Sequence, residues 1–228
     1  MNVKKNYICI IIIILLLLYH IIIVNPISIQ YDLNVINTGK RKVFCIGLGR
    51  TATSSLTYAL IKLGYKTWHC PYLYDSDNIR NYVNKFDALT ELPFCCDYNF
   101  KQLCMMYPDA QFILTVRDEE KWLKSTDKYK WLVNTLANKC PGYELFCRNF
   151  NNYDFTIENY KSYNEQVVNF FKEQNKEDQL LIMNIPEGDG YDKLCKFLNV
   201  KYNSSLGKFP NVKEINLQMY LRFKYFFH

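Results

Sequence analysis

The stretch Lys42 to Tyr65, KVFCIGLGRTATSSLTYALIKLGY, constrains the fold more than any other in the chain. Val43 to Ile46 is a short apolar run rich in β-formers, the pattern of a strand buried on both faces. Leu56, Ala59, Leu60 and Leu63 then recur at i, i+3, i+4 and i+7, one face of a helix that ends before Gly64. Between them lie Gly47, Leu48, Gly49, Arg50, Thr51, Ala52, Thr53, Ser54 and Ser55. A strand, a glycine-bearing loop and a helix start aim backbone N–H groups and the positive end of the helix dipole at one point, which suits a phosphate. Arg50 adds a charged fork, and Thr51, Thr53, Ser54 and Ser55 add short donors. The same pattern also describes an ordinary βα turn closed by a Ser or Thr cap, so other segments have to decide.

The loop differs from that of the nucleoside triphosphatases. Their G-x-x-x-x-G-K-[ST] pattern needs Gly-Lys before the hydroxyl, and here the corresponding stretch is Ala52-Thr53-Ser54, which argues against ATP hydrolysis. Downstream, strand-like runs alternate with helical spacing. FDALTEL (86–92), QFILTV (111–116) and 179–183 read as strands; 99–107, 157–176 and 191–198 read as helices. Such alternation predicts an α/β domain with a mostly parallel central sheet flanked by helices. A chain of 228 residues with 49% hydrophobic content supports one such core and is short for two. The net charge of +6 is spread along the chain rather than gathered into a basic block, so no nucleic-acid partner is expected.

Gly49 to Leu56 resembles the 5′-phosphosulfate loop of the sulfotransferases, P-K-T-G-T-[TS]-x-L, with Arg50 in place of Lys and Ala52 in place of the inner Gly. A second junction carries the same resemblance. The strand at 111–116 runs into Arg117, and Ser125 follows eight residues later; the family spaces in this way the Arg and Ser that hold the 3′-phosphate of its donor. The segment EGDGYDKLCKFLNV followed by KFPNV is similar to the carboxyl-terminal part of one sulfotransferase branch. The resemblance covers residues 42–211. It implies a three-layer α/β/α fold akin to the P-loop NTPases, 3′-phosphoadenosine 5′-phosphosulfate (PAPS) as co-substrate, no metal, and a cofactor site made of Gly49, Arg50, Thr51, Ala52, Thr53, Ser54, Ser55, Arg117 and Ser125. Arg50 is then a catalytic residue as well, at the 5′-phosphate and the bridging oxygen.

The proton acceptor is sought at Thr90-Glu91-Leu92-Pro93. In one branch of the resembling family the equivalent strand end reads Thr-His-Leu-Pro with the His as base, and others place a carboxylate there. Glu91 follows a strand-like run and is expected to project from the carboxyl edge of the sheet toward Arg50. His69 is the second candidate base, equally readable as a core histidine, and Trp68 beside it is a candidate for stacking on the adenine.

The N-terminus is of another kind. Ile8 to Val24 reads ICIIIIILLLLYHIIIV, seventeen residues without an acidic or strongly basic side chain and at the lower limit for crossing a hydrocarbon layer. Lys4 and Lys5 precede it and no Lys or Arg follows before Lys40, which orients a type II anchor with residues 1–7 in the cytosol. A cleaved signal peptide is the rival, but no small-x-small cleavage site follows. The expected organisation is an anchor at 8–24, a stem at 25–40 and a catalytic domain at 41–228 in the lumen of the Golgi or another secretory compartment. Cys140 and Cys147 flank a Pro-Gly turn and read as either a small bridged loop or buried free thiols. Histidines are three and no Cys-x-x-Cys pair occurs, so zinc is not expected. Asn203-Ser204-Ser205 is a glycan acceptor triplet.

The expected activity is sulfuryl transfer from PAPS to a hydroxyl or amine of a glycan, a protein or a small alcohol. The two rivals are a divergent nucleotide-dependent kinase and a silent membrane-anchored binding domain.

Overall fold

A computed structural model describes residues 39–69, 83–91, 94–95, 99–127 and 155–212. The apolar run at 8–24, most of the stem, Leu92, Pro93, Cys140 and Cys147 lie outside them. Among the described residues no helix is long and apolar enough to cross a membrane.

Five strands form one sheet: β1 (Val43–Cys45), β2 (Thr67–His69), β3 (Ala88–Thr90), β4 (Gln111–Thr115) and β5 (Leu180–Met183), in the order β2-β3-β1-β4-β5. Every pairing is parallel. The strand-like runs read in the sequence all supply strands, and the apolar residues explain why: β1, β3 and β4 are buried along their whole length, as strands covered on both faces must be.

Alternation along the strands divides the core. Phe44, Phe112, Leu114 and Leu89 face one side, against Phe100 and Leu103 of α2 (Asn99–Met106), Trp122 of α3 (Glu119–Asp127), and Tyr160, Tyr163, Val167 and Phe171 of α4 (Ile157–Glu173). Val43, Cys45, Ala88 and Ile113 face the other, against Leu56, Ala59 and Leu60 of α1 (Thr53–Lys62) and Tyr191, Leu194 and Leu198 of α5 (Tyr191–Leu198). The sheet is thus covered on both sides by helices.

The strand order places the site. β1 is central, the chain leaves it toward β2 and β3 on one side and later adds β4 and β5 on the other, and open α/β sheets bind ligands where the order reverses, beyond the strands' carboxyl ends. The β1–α1 loop therefore rises between the end of β3, which carries Glu91, and the end of β4, which leads to Arg117.

Cys45, Cys104 and Cys195 are buried free thiols, and Cys95 is buried as well. Burial pushes the Cys45 thiol up to about 12, so it stays protonated and inert at neutral pH.

Candidate active site

The loop after β1 is fixed from three sides. Tyr163 Oη donates to the Ile46 carbonyl at 2.6 Å, Trp122 Nε1 donates to the Gly49 carbonyl at 3.0 Å, and Arg117 Nη1 donates to the Arg50 carbonyl at 3.3 Å. Gly47 is required by crowding: a Cβ there would lie 2.0 Å from Thr115 Oγ1 and 2.6 Å from the Thr115 backbone. Thr51 Oγ1 donates to the Leu48 carbonyl at 2.6 Å and meets Thr115 Oγ1 at 2.7 Å, tying the loop to β4.

Arg50 and Ala52 have φ of 73° and 70°, the left-handed region that side chains disfavour, while the intervening Thr51 does not. Alternation of hand along a loop turns successive N–H groups to one side and forms an anion-binding concavity. Ala52 is also the N-cap of α1 and offers no side-chain cap, so the helix start keeps backbone donors for a ligand. Ala52, standing where the resembling loop has glycine, therefore carries backbone strain. Ala52→Gly is expected to stabilise the chain by about 0.5–1 kcal/mol, or roughly 1–4 °C in Tm, and to leave donor binding intact or tighter. Thermal melts with and without the donor product check this; a fall in Tm means the loop needs a side chain at 52.

The Arg50 side chain crosses to α3, where Nε donates to Ser125 Oγ at 3.2 Å. Arg117 comes to the same place from the end of β4, its backbone gripped by Tyr160 Oη, which accepts from Arg117 N–H at 2.8 Å and donates to Arg117 C=O at 3.1 Å. Arg117 Nε is buried and has no hydrogen-bond partner among the described residues. A buried guanidinium N–H left open is costly, and an anion supplied from outside would satisfy it. Asp118 caps α3, accepting from Lys121 N–H at 2.9 Å.

Glu91 sits on the opposite side of the loop. Its φ is 66°, its N–H donates to the Cys45 carbonyl at 3.1 Å, and its side chain, 13% exposed, accepts from the Thr53 hydroxyl. A Cβ on Gly49 would come 3.2 Å from Glu91 Oε1, so glycine at 49 leaves the carboxylate room against the loop. Burial raises the Glu91 carboxyl above the usual carboxylate range, opposed by the Thr53 hydrogen bond and the Arg50 charge.

His69, the last residue of β2, has no exposed surface, and its Nε2 lies 3.2 Å from Ser54 Oγ and 3.6 Å from Glu91 Oε2. Trp68 is 6% exposed and packs on Phe86 with ring centroids 5.4 Å apart, in the core rather than in the loop cluster. The four loop hydroxyls read as phosphate donors are engaged inside the protein: Thr51 with Leu48 and Thr115, Thr53 with Glu91, Ser54 with His69, and Ser55 Oγ as acceptor for Val212 N–H at 3.2 Å. The cluster's outward-facing chemistry thus rests on backbone N–H groups, two arginines and one carboxylate.

Trp122, Tyr160 and Tyr163 were not foreseen as site residues. The sequence marked 157–176 only as a helix, and Trp122, stacked on Tyr160 with centroids 4.3 Å apart, serves as core and as hydrogen-bond donor at once.

Among known families, residues 42–77 and 72–216 match the sulfotransferase domain. Among curated proteins, Ava biosynthesis cluster protein M of Aspergillus versicolor is 27% identical over an alignment covering 37% of this chain and 41% of that protein. The match spans about two fifths of that relative's length, and its name states only that it belongs to a biosynthesis cluster.

Proposed function

The chain belongs to the sulfotransferase-domain family, and from that premise we propose that it transfers a sulfuryl group from PAPS to a hydroxyl or amine. The observation that carries this reading is the convergence of Arg50, Arg117 and Ser125 beside the uncapped start of α1, with Glu91 across the loop.

The residues present fit a donor with two anionic ends. The left-handed turns at Arg50 and Ala52 and the start of α1 make a concavity for a 5′-phosphosulfate, and the open Arg117 Nε with the Ser125 hydroxyl suits a second phosphate. The donor supplies an activated sulfur whose leaving group is a phosphate. Arg50 places a permanent positive charge where that phosphate gains negative charge, and fixed N–H dipoles act there without reorganising. Glu91, ionised, accepts the proton of the attacking group at a carboxylate oxygen. Trp122, Tyr160 and Tyr163 hold the loop and the Arg117 junction in register by their bonds to backbone.

The test is incubation of the full chain with labelled PAPS and a panel of glycans, tyrosine peptides and small alcohols, beside a control with ATP and magnesium. Label in an acceptor with PAPS alone is expected; transfer only with ATP and magnesium would make the chain a kinase, and donor binding without any transfer a silent binding domain.

Arg117→Ala is expected to weaken PAPS binding roughly ten- to a hundredfold, since a charge-assisted bond to phosphate is worth about 1.5–3 kcal/mol. The preference for the 3′-phosphorylated donor over adenosine 5′-phosphosulfate is expected to vanish with it. A preference that survives would move the 3′-phosphate elsewhere. Anchorage by 8–24 with a lumenal catalytic domain is likewise proposed from the sequence, and resistance to alkaline extraction together with protection from added protease in sealed vesicles tests it.

A further inference from the structure

Beneath the loop a chain of hydroxyls ends in an imidazole. His69 Nδ1 lies 2.8 Å from Thr90 Oγ1 and 3.1 Å from Thr57 Oγ1, those two hydroxyl oxygens are 2.6 Å apart, and Thr57 Oγ1 donates to the Thr53 carbonyl at 2.8 Å. Each hydroxyl owns one proton, so the protons can be counted along the chain. That of Thr57 goes to the Thr53 carbonyl. The Thr90 proton has two acceptors in reach, Thr57 Oγ1 at 2.6 Å and the Trp68 carbonyl at 3.4 Å; the shorter contact takes it, and the 2.8 Å contact is then filled by an Nδ1–H of His69. The hydrogen count assigns the neutral ring to the Nδ1–H tautomer and leaves a lone pair on Nε2.

That lone pair faces the wrong partner for a proton-free site. Ser54 Oγ, at 3.2 Å, can donate to it, but Glu91 Oε2, at 3.6 Å, is itself an acceptor when ionised. Two acceptors so placed, both largely out of water, repel, and that repulsion raises the affinity of the empty pair for one proton. We infer that His69 Nε2 and Glu91 Oε2 share one proton-binding site, with His69 as the buried proton reservoir behind the base. His69 is a positioning residue in this scheme, since its lack of exposed surface keeps it from the acceptor.

The inference rests on the proposal that Glu91 accepts the proton. As the acceptor oxygen or nitrogen bonds to sulfur, the bond from sulfur to the donor phosphate breaks, its electron pair stays on that phosphate, and the acceptor's proton goes to Glu91. Passing it on to Nε2 leaves an imidazolium beside a carboxylate, and its return to solvent resets the pair. Other titratable groups facing the pair among the described residues are Arg50 on the loop and Cys45 on β1. The thiol is neutral, and the Arg50 charge favours ionised Glu91, hence the proton on His69.

The experiment is ring-nitrogen NMR of the full chain between about pH 5 and about pH 9, where a histidine titrates. The sequence holds three histidines, so His69→Asn assigns the signal. Nδ1 is expected to stay protonated throughout, with only Nε2 titrating, and the ring's apparent pKa is expected to fall by about one unit or more in Glu91→Gln. A proton on Nε2 with a bare Nδ1, or a titration indifferent to Glu91, overturns the inference. Neither readout involves transfer, so a chain that moved no sulfuryl group would sink the functional reading and leave this result standing. As a second arm, His69→Asn retains a donor near Nδ1 and removes Nε2. It is expected to lower kcat roughly tenfold or more and shift the acid limb of the pH profile while donor KM stays put. A rise in donor KM in step with the loss of kcat would assign His69 a structural role only and overturn the proposal.

Discussion

Glu91→Gln is expected to bind PAPS as the parent chain does and to turn over about 10²–10⁴-fold more slowly, the usual loss when a general base is removed. The isosteric amide keeps the Thr53 contact and the volume against Gly49 but has no basic lone pair for a proton. The pH dependence has a definite sign. Burial raises the Glu91 carboxyl above its ordinary range, and the base works only when ionised, so the acid limb of kcat should lie above the pH at which a surface glutamate titrates. Stability runs the other way. A carboxyl whose folded pKa is raised contributes stability that is fully present below its unfolded pKa and is lost as pH rises through the folded value, so ionised Glu91 destabilises the fold at neutral pH. Glu91→Gln should therefore melt higher than the parent at neutral pH while losing activity, and the gap should close on acidification. A variant with near-normal turnover would take Glu91 out of the mechanism; one that melts lower would mean that the carboxylate is a structural anchor.

This opposition of stability and function recurs in the backbone. Arg50, Ala52 and Glu91 are three of the five non-glycine residues with positive φ among the described residues, and all three lie in or against the β1–α1 loop. Such strain is retained where a site needs side chains pointed in directions that relaxed backbone does not offer. It is also what the sequence could least disclose. A glycine advertises a left-handed turn, whereas an Arg, an Ala or a Glu in that region looks like any other residue until the neighbours that hold it are known.

Other parts of the molecule were legible because one physical rule dominates them. Strands buried on both faces need continuous apolar side chains, so VFCI, FDALTEL and QFILTV stood out, and α1 was marked by its i, i+3, i+4, i+7 leucines and alanine. Strand order was not readable, since the rule that places β3 between β1 and β2 acts through contacts distant in sequence. The site divides along the same line. Residue types suited to anions were visible as Arg50, Arg117 and Ser125, but the allocation of the hydroxyls was not: Thr51, Thr53 and Ser54 look like phosphate donors in one dimension and turn out to bind Thr115, Glu91 and His69. His69, read as a rival to Glu91, lies behind it.

Arg50→Ala is expected to reduce kcat by about two orders of magnitude or more, the scale of losing one fixed donor to a developing negative charge. The backbone supports a clean reading of that loss. Alanine at 50 inherits the same positive φ as arginine, so strain is nearly unchanged, and the Arg50 carbonyl remains available to Arg117 Nη1. What disappears is the guanidinium and its bond to Ser125 Oγ. Arg50→Lys separates charge from shape, because an ammonium keeps the charge but loses the planar fork. If the work at this position is charge neutralisation on the leaving phosphate, Lys should recover most of the lost rate; if it is the fork's geometry across to Ser125, Lys should resemble Ala, and Ser125→Ala should then cost little further in the Lys background. Melting temperatures near the parent's in all three variants would assign the losses to the reaction, and an active Arg50→Ala would remove the loop's side chain from the mechanism.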